Sequence, residues 1–147
     1  MINAKFAPKL ALLPLAAISL VACESQAEQE ADRAEDAMEA QAEQSAMTSG
    51  TEQIALGMTE AQLIDADLVT ADGTDLGDIE QVRRDASGAV TGLLVELDDT
   101  DPDRWVEVPM EGLTTRPDGT DMDVQTTMTA ADLAALPDAQ MTPAPTV

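Results

Sequence analysis

From residue 64 onward the chain is cut at short, even intervals by turn-forming residues: Asp72-Gly73, Ser87-Gly88, Pro102 and Pro117-Asp118-Gly119. Glycine supplies positive φ, Asp and Ser fold back onto their own backbone, and proline removes a donor. The runs between these marks are too short to make stable helices and are rich in Val, Leu, Ile and Thr, which suit strands. Strands are therefore expected at 64–70, 76–84, 89–97, 104–109 and 121–128. In 89–97, Leu93, Val95 and Leu97 alternate with Leu94 and Glu96, so one face is core and the other mostly solvated. In 104–109, Val106 and Val108 face one way, Trp105 and Glu107 the other. Short strands at this spacing predict a mainly-β domain, either a small barrel or a sandwich.

Two short helical turns use one device. Thr59 is placed as an N-cap with Gln62 three residues on, and Met58 can staple onto Leu63. Thr129, Asp132, Met128 and Leu133 repeat the arrangement, and Pro137 stops the second helix. Gly73, Gly88 and Gly119 are each expected at positive φ in a hairpin turn.

The N-terminal third is of another kind. Residues 1–9 hold Lys5 and Lys9 and no acid, and Leu10 to Val21 form a twelve-residue apolar run. Spanning a bilayer takes roughly 18 such residues, so the run reads as a secretory signal. It ends in Leu20-Val21-Ala22-Cys23, which resembles the lipobox of bacterial lipoproteins, and Cys23 is the sole cysteine. The resemblance implies that residues 1–22 are removed and that Cys23 carries the lipid. The protein would then be a membrane-anchored lipoprotein exported across the inner membrane. Glu24, where an Asp would favour inner-membrane retention, points to the periplasmic face of the outer membrane.

Residues 23–53 follow as an acidic segment rich in Ala, Gln and Glu, with nine acids and one Arg. These residues favour helix, yet none offers a large apolar face. The segment is expected to be a disordered or loosely helical tether that adds little to the stability of a domain at 54–137. Residues 138–147 are expected to be a disordered tail.

Charge excludes several functions. The chain holds 29 acids against seven basic residues, for a net charge of −22, with no His and no Tyr. Phosphate contacts and base stacking need Lys, Arg and aromatic rings, so nucleic acid is not a partner. Lys occurs only in the leader. A mature chain without Lys, His, Tyr or free thiol has no base to activate a nucleophile, so no enzyme activity is expected.

Asp99, Asp101 and Asp103 have the 1, 3, 5 spacing of a calcium loop, but Arg104 stands where Gly is needed and Met110 where the bidentate Glu belongs. They are expected to form a solvated loop able at most to bind a divalent ion such as Ca2+ weakly, and no cofactor is implied. Arg83-Arg84 is the one basic doublet, set either to pair with carboxylates on its own sheet or to meet a partner. Trp105 is the one aromatic residue outside the leader, suited to half-buried packing or to anchoring a partner.

Residues 64–137 resemble a PRC-barrel domain. The matching parts are IDADLVTADGTDLG with Gly73 and Gly77, then IEQVRRDASGAVTGLLVEL, then WVEVPMEGL, and finally a strand and the helix TAADLAALP. The resemblance covers about half the chain and rests on order and spacing. It implies a small β-barrel with a short C-terminal helix, and a role as an adaptor that packs against other proteins. The functional expectation is a lipid-anchored, non-enzymatic adaptor that meets an envelope protein. The alternative is an acidic cation-binding or charge-buffering surface lipoprotein without a specific partner. An adaptor is expected to expose a contiguous apolar or Trp105-centred patch; a charge device is not.

Overall fold

A computed structural model describes residues 26–140. The expected leader, Cys23 and residues 141–147 lie outside the described residues.

The segment expected as a loose tether is a 24-residue helix, α1 (Gln26–Ser49), and it is packed. Met38, Ala42 and Ala46 recur every fourth residue and are buried to 4%, 4% and 7% exposure. The expectation that nothing in this segment buries a face is corrected. Alanines have little area to bury, but their small size lets a helix backbone approach its neighbours closely, and here they make one continuous stripe. Gly50, at φ 61, ends the helix, its N–H donating to Ala46 O at 3.0 Å.

A small hairpin follows, β1 (Gln53–Ala55) with β2 (Met58–Thr59). Its two-residue turn places Leu56 and Gly57 at φ 52 and 75, the primed geometry that matches strand twist. Thr59 then caps α2 (Glu60–Ile64) with the expected box. The main sheet has six strands: β3 (Asp67–Val69), β4 (Asp75–Arg84), β5 (Val90–Leu97), β6 (Trp105–Pro109), β7 (Thr114–Asp118) and β8 (Asp121–Gln125). Their order is β6-β5-β4-β3-β8-β7, antiparallel except for the parallel pair β3–β8. Thr129 caps the last helix, α3 (Ala130–Ala134), with its own box.

The domain is mainly β, as expected, and the barrel is not closed among the described residues. The outer edge of β6 is occupied by the chain's own C-terminal segment. Val106 bridges to Asp138, and Ala139 N–H donates to Trp105 O at 2.8 Å. The outer strand β7 contains Pro117, which has no N–H to offer a neighbour. Arg104 fastens that C-terminal segment, binding the carbonyls of Ala134 and Leu136 and the carboxylate of Asp138. Residues 138–140 are therefore attached to the sheet and not part of a disordered tail.

The core lies on the face of Leu93, Val95, Val106 and Val124, where α2 and α3 contribute Leu63 and Leu133, all fully buried. The opposite face carries Leu94, Glu96, Trp105 and Glu107, with Asp78 and Gln81 across from Glu96 and Leu94. It is not the solvated face expected from the alternation, because Leu94 is fully buried and Gln81 nearly so. Gly73, Gly88 and Gly119 take φ of 84, 86 and 58 in their turns, as expected.

Candidate functional site

Glu60 is the first residue of α2, where a negative charge suits the helix dipole. Its carboxylate is only 2% exposed and holds three donors: Arg84 at 2.7 Å and the hydroxyls of Ser45 and Ser49. Burial alone would raise its pKa. The hydrogen bonds from Ser45, Ser49 and Arg84, with the Arg84 charge, outweigh burial and hold it below the usual carboxylate value. One anion thus joins α1, α2 and β4.

Beside this latch runs an open groove of about 720 Å³ between α1, α2, β3 and β4. Its walls carry six carboxylates: Glu39 and Glu43 from α1, Asp65 after α2, Asp67 on β3, and Asp78 and Glu80 on β4. Small and branched apolar side chains, among them Ala42, Ile64 and Ile79, line the rest, and no basic residue does. Two of these carboxyls are held above the usual carboxylate value. Glu80 is pushed up by burial, then by Glu39 and Asp78, and Asp67 by burial, then by Asp75 and Asp78.

The repulsion continues across the sheet. Glu96 lies opposite Asp78 on one side and Trp105 on the other. Burial, then the charges of Glu35, Glu80, Asp103 and Asp78, push its carboxyl up to about 7. Glu35 of α1 is itself raised by burial and by Asp103. This arrangement attracts cations and holds a carboxyl that titrates near neutral pH.

The residues singled out from the sequence are scattered. Asp99, Asp101 and Asp103 are all exposed, and no cluster of three or more metal-ligating side chains forms among the described residues. Asp99 takes a left-handed φ of 55, which suits a tight turn. Arg84 binds Glu60 and the Gly88 carbonyl, pairing with α2 rather than with its own sheet. Arg83 donates to Gln81 Oε1 at 2.7 Å and to the Gln140 carbonyl at 2.9 Å. Trp105 is half-buried, with its indole N–H buried and unpartnered among the described residues. The lipidation candidate Cys23 lies outside them.

The apolar patch expected of an adaptor is not present among the described residues: Met47, 79% exposed, is the one large apolar side chain left open. No described helix is long and apolar enough to cross a membrane. No protein-family model matches the chain, and no curated protein is significantly similar to it.

Sequence reasoning missed Glu60, Ser45 and Ser49, and with them the groove. Glu60 reads as an ordinary first-turn acid of a capped helix. Ser45 and Ser49 lie four residues apart, in phase with Ala42 and Ala46, and that recurrence was the available signal.

Proposed function

We propose that this chain is a lipid-anchored, non-enzymatic adaptor of the bacterial cell envelope, and that it holds a basic segment of its partner in the groove between α1, α2 and β4. The observation that carries this reading is a groove of about 720 Å³ lined by six carboxylates and several apolar side chains, with no basic residue in its lining. Lys and Arg side chains suit such a lining, because their methylene stems pack on apolar groups while their charged ends meet carboxylates. Contact through charge takes the place of the exposed apolar patch expected of an adaptor, which the described residues do not show. The PRC-barrel resemblance belongs to this proposal in the form of an opened relative. Its supports are the succession of short strands along the chain and the capped turn at Thr129.

The anchor is proposed from the leader and Cys23. Replacing Cys23 by Ser is expected to leave the protein uncleaved or free of the membrane. A Cys23→Ser chain that loses its leader yet still sediments with membranes overturns the lipid anchor.

Calorimetric titration of the full chain with a Lys/Arg-rich peptide tests the groove. Saturable one-to-one binding is expected, weaker with added salt and weaker in an Asp78→Asn, Glu80→Gln double variant. The second reading, a charge-buffering surface lipoprotein, is favoured by the scarcity of exposed apolar side chains among the described residues and by the Glu96 carboxyl near 7. Under it, binding is non-saturating and indifferent to those two substitutions.

A further inference from the structure

The seating of α1 combines attraction and repulsion in separate places. Its C-terminal half is held by Met38, Ala42 and Ala46 and by the bonds from Ser45 and Ser49 to Glu60. Its middle carries Glu39, which lines one groove with Asp78 and Glu80 of β4, and Asp78 lies opposite Glu96 of β5. Glu35, one turn before Glu39, is half-buried, as are Glu80 and Glu96, and the charge of Asp103 in the loop before β6 acts on Glu35 and Glu96. Asp32 and Asp36, on either side of Glu35, add to the same field. Compensation is absent at this contact. Among the described residues the ion pairs are Arg84–Glu60, Arg104–Asp138 and Arg116–Asp123, so no arginine pairs with a member of the cluster. Arg33, the base within α1, is exposed. On the same face of the sheet, Glu107 is exposed and Arg83 is engaged with Gln81 and Gln140.

We propose that α1 is a reversible strap: latched at its C-terminal end through Glu60 and opposed at its middle by Glu35, Glu39, Asp78, Glu80, Glu96 and Asp103, it seats on the sheet in mild acid and loosens as pH rises through neutrality. When α1 leaves, it takes Glu39, Ala42 and Glu43 with it, so one wall of the groove goes too. The device is independent of what the groove binds.

The direction follows from proton linkage. A carboxyl whose pKa is higher in the seated state takes up a proton on seating, so seating strengthens as pH falls. Glu96 is pushed up to about 7 in the seated state, and unseating removes the Glu35 charge from beside it while Glu80, Asp103 and Asp78 stay; Glu35 and Glu80 are shifted the same way, so the window opens below about 7. Glu60 sets the lower limit. Its pKa is depressed in the seated state, so its contribution is complete above the ordinary carboxylate value and is lost as pH falls below it. The strap is therefore tightest in mild acid, between these two limits.

Hydrogen exchange of the full chain between pH 5 and 8, corrected for intrinsic rates, tests this at the α1 amides of residues 38–46. Protection is expected to fall by about tenfold or more from pH 5.5 to 8, while β5 amides keep theirs. Trp105, the sole tryptophan and the neighbour of Glu96, is expected to change fluorescence with the same midpoint. Glu96→Gln is expected to flatten most of the dependence, and Glu35→Gln part of it. Glu60→Gln is expected to lower protection across the range and leave the slope in place. Protection of α1 that is flat from pH 5 to 8, or a slope unchanged in Glu96→Gln, overturns the strap. Loss of α1 and β5 protection in parallel also overturns it, because α1 would then be inseparable from global folding.

Discussion

Gly77 shows most directly how a single backbone position serves this sheet. It sits in β4 at φ 148, and a Cβ built there would lie 1.9 Å from the Glu96 carbonyl oxygen of β5. The strands can approach this closely because no side chain stands between them. Gly77→Ala is expected to cost ~2–4 kcal/mol, since strain at such a φ adds to a clash with backbone that cannot move aside. A urea midpoint unchanged by the substitution would contradict that reading. Glu60 acts on three elements through one carboxylate. Glu60→Gln removes the charge that Arg84 faces and is expected to lower stability by ~2–3 kcal/mol. Adding Arg84→Met is expected to recover part of that loss, because the orphaned guanidinium goes with it. A double-mutant cycle measures the coupling.

At the scale of elements, α1 separates what the sequence disclosed from what it hid. Its small-residue stripe predicts a position-specific response. Ala46→Leu, in the buried stripe, is expected to destabilise by ~1–3 kcal/mol through overpacking. Ala40→Leu, on the exposed side, is expected to stay within ~0.5 kcal/mol, and equal effects in denaturant melts would deny the stripe its role. The central strands were legible because Val, Leu and Ile alternate or cluster between strong turn marks, and both capped turns because Thr-x-x-Gln and Thr-x-x-Asp have a mechanism. Strands β1, β2 and β7 were not. The β1–β2 turn uses Leu56-Gly57 where Asn-Gly would have signalled it, and β7 contains Pro117-Asp118, which read as a turn. The docking of α1 left only the faint signal of small residues recurring at Ala42, Ser45, Ala46 and Ser49, because alanine and serine carry almost no hydrophobic signal and its heavy charge argued for a free helix. The groove was hidden for a related reason: its acids come from α1, the end of α2, β3 and β4, and only the fold brings them to one wall.

The whole molecule is governed by charge. Residues 54–137 hold nineteen acids and four arginines, and the acids of α1 are folded back onto them. Such a surface repels itself, and salt screens it over distances of ~8–10 Å. The melting temperature is expected to rise with NaCl; indifference to salt would show the charges already balanced. Stability should also rise as pH falls from about 7 toward 5. Glu35, Glu80, Asp67 and Glu96 have raised pKa values, so each stabilises the fold more once protonated. Below the ordinary carboxylate range the trend should reverse, because Glu60 is depressed and its bonds fail on protonation. A thermal melt across pH that peaks near 5 agrees with this; a peak at 8 does not. The central claim, that the acidic helix α1 is part of the folded unit and builds the groove, is tested most directly by removing it. A chain beginning at Thr51 loses the burial of Met38, worth ~1.5–3 kcal/mol, and the two hydroxyl bonds to Glu60. In calorimetry at pH 5.5 it is expected to melt about 10 °C or more below the full chain, as a loss of a few kcal/mol requires for a domain of this size. Melting within two or three degrees (~2–3 °C) of the full chain would mean that α1 contributes less than about 1 kcal/mol, and would contradict the claim.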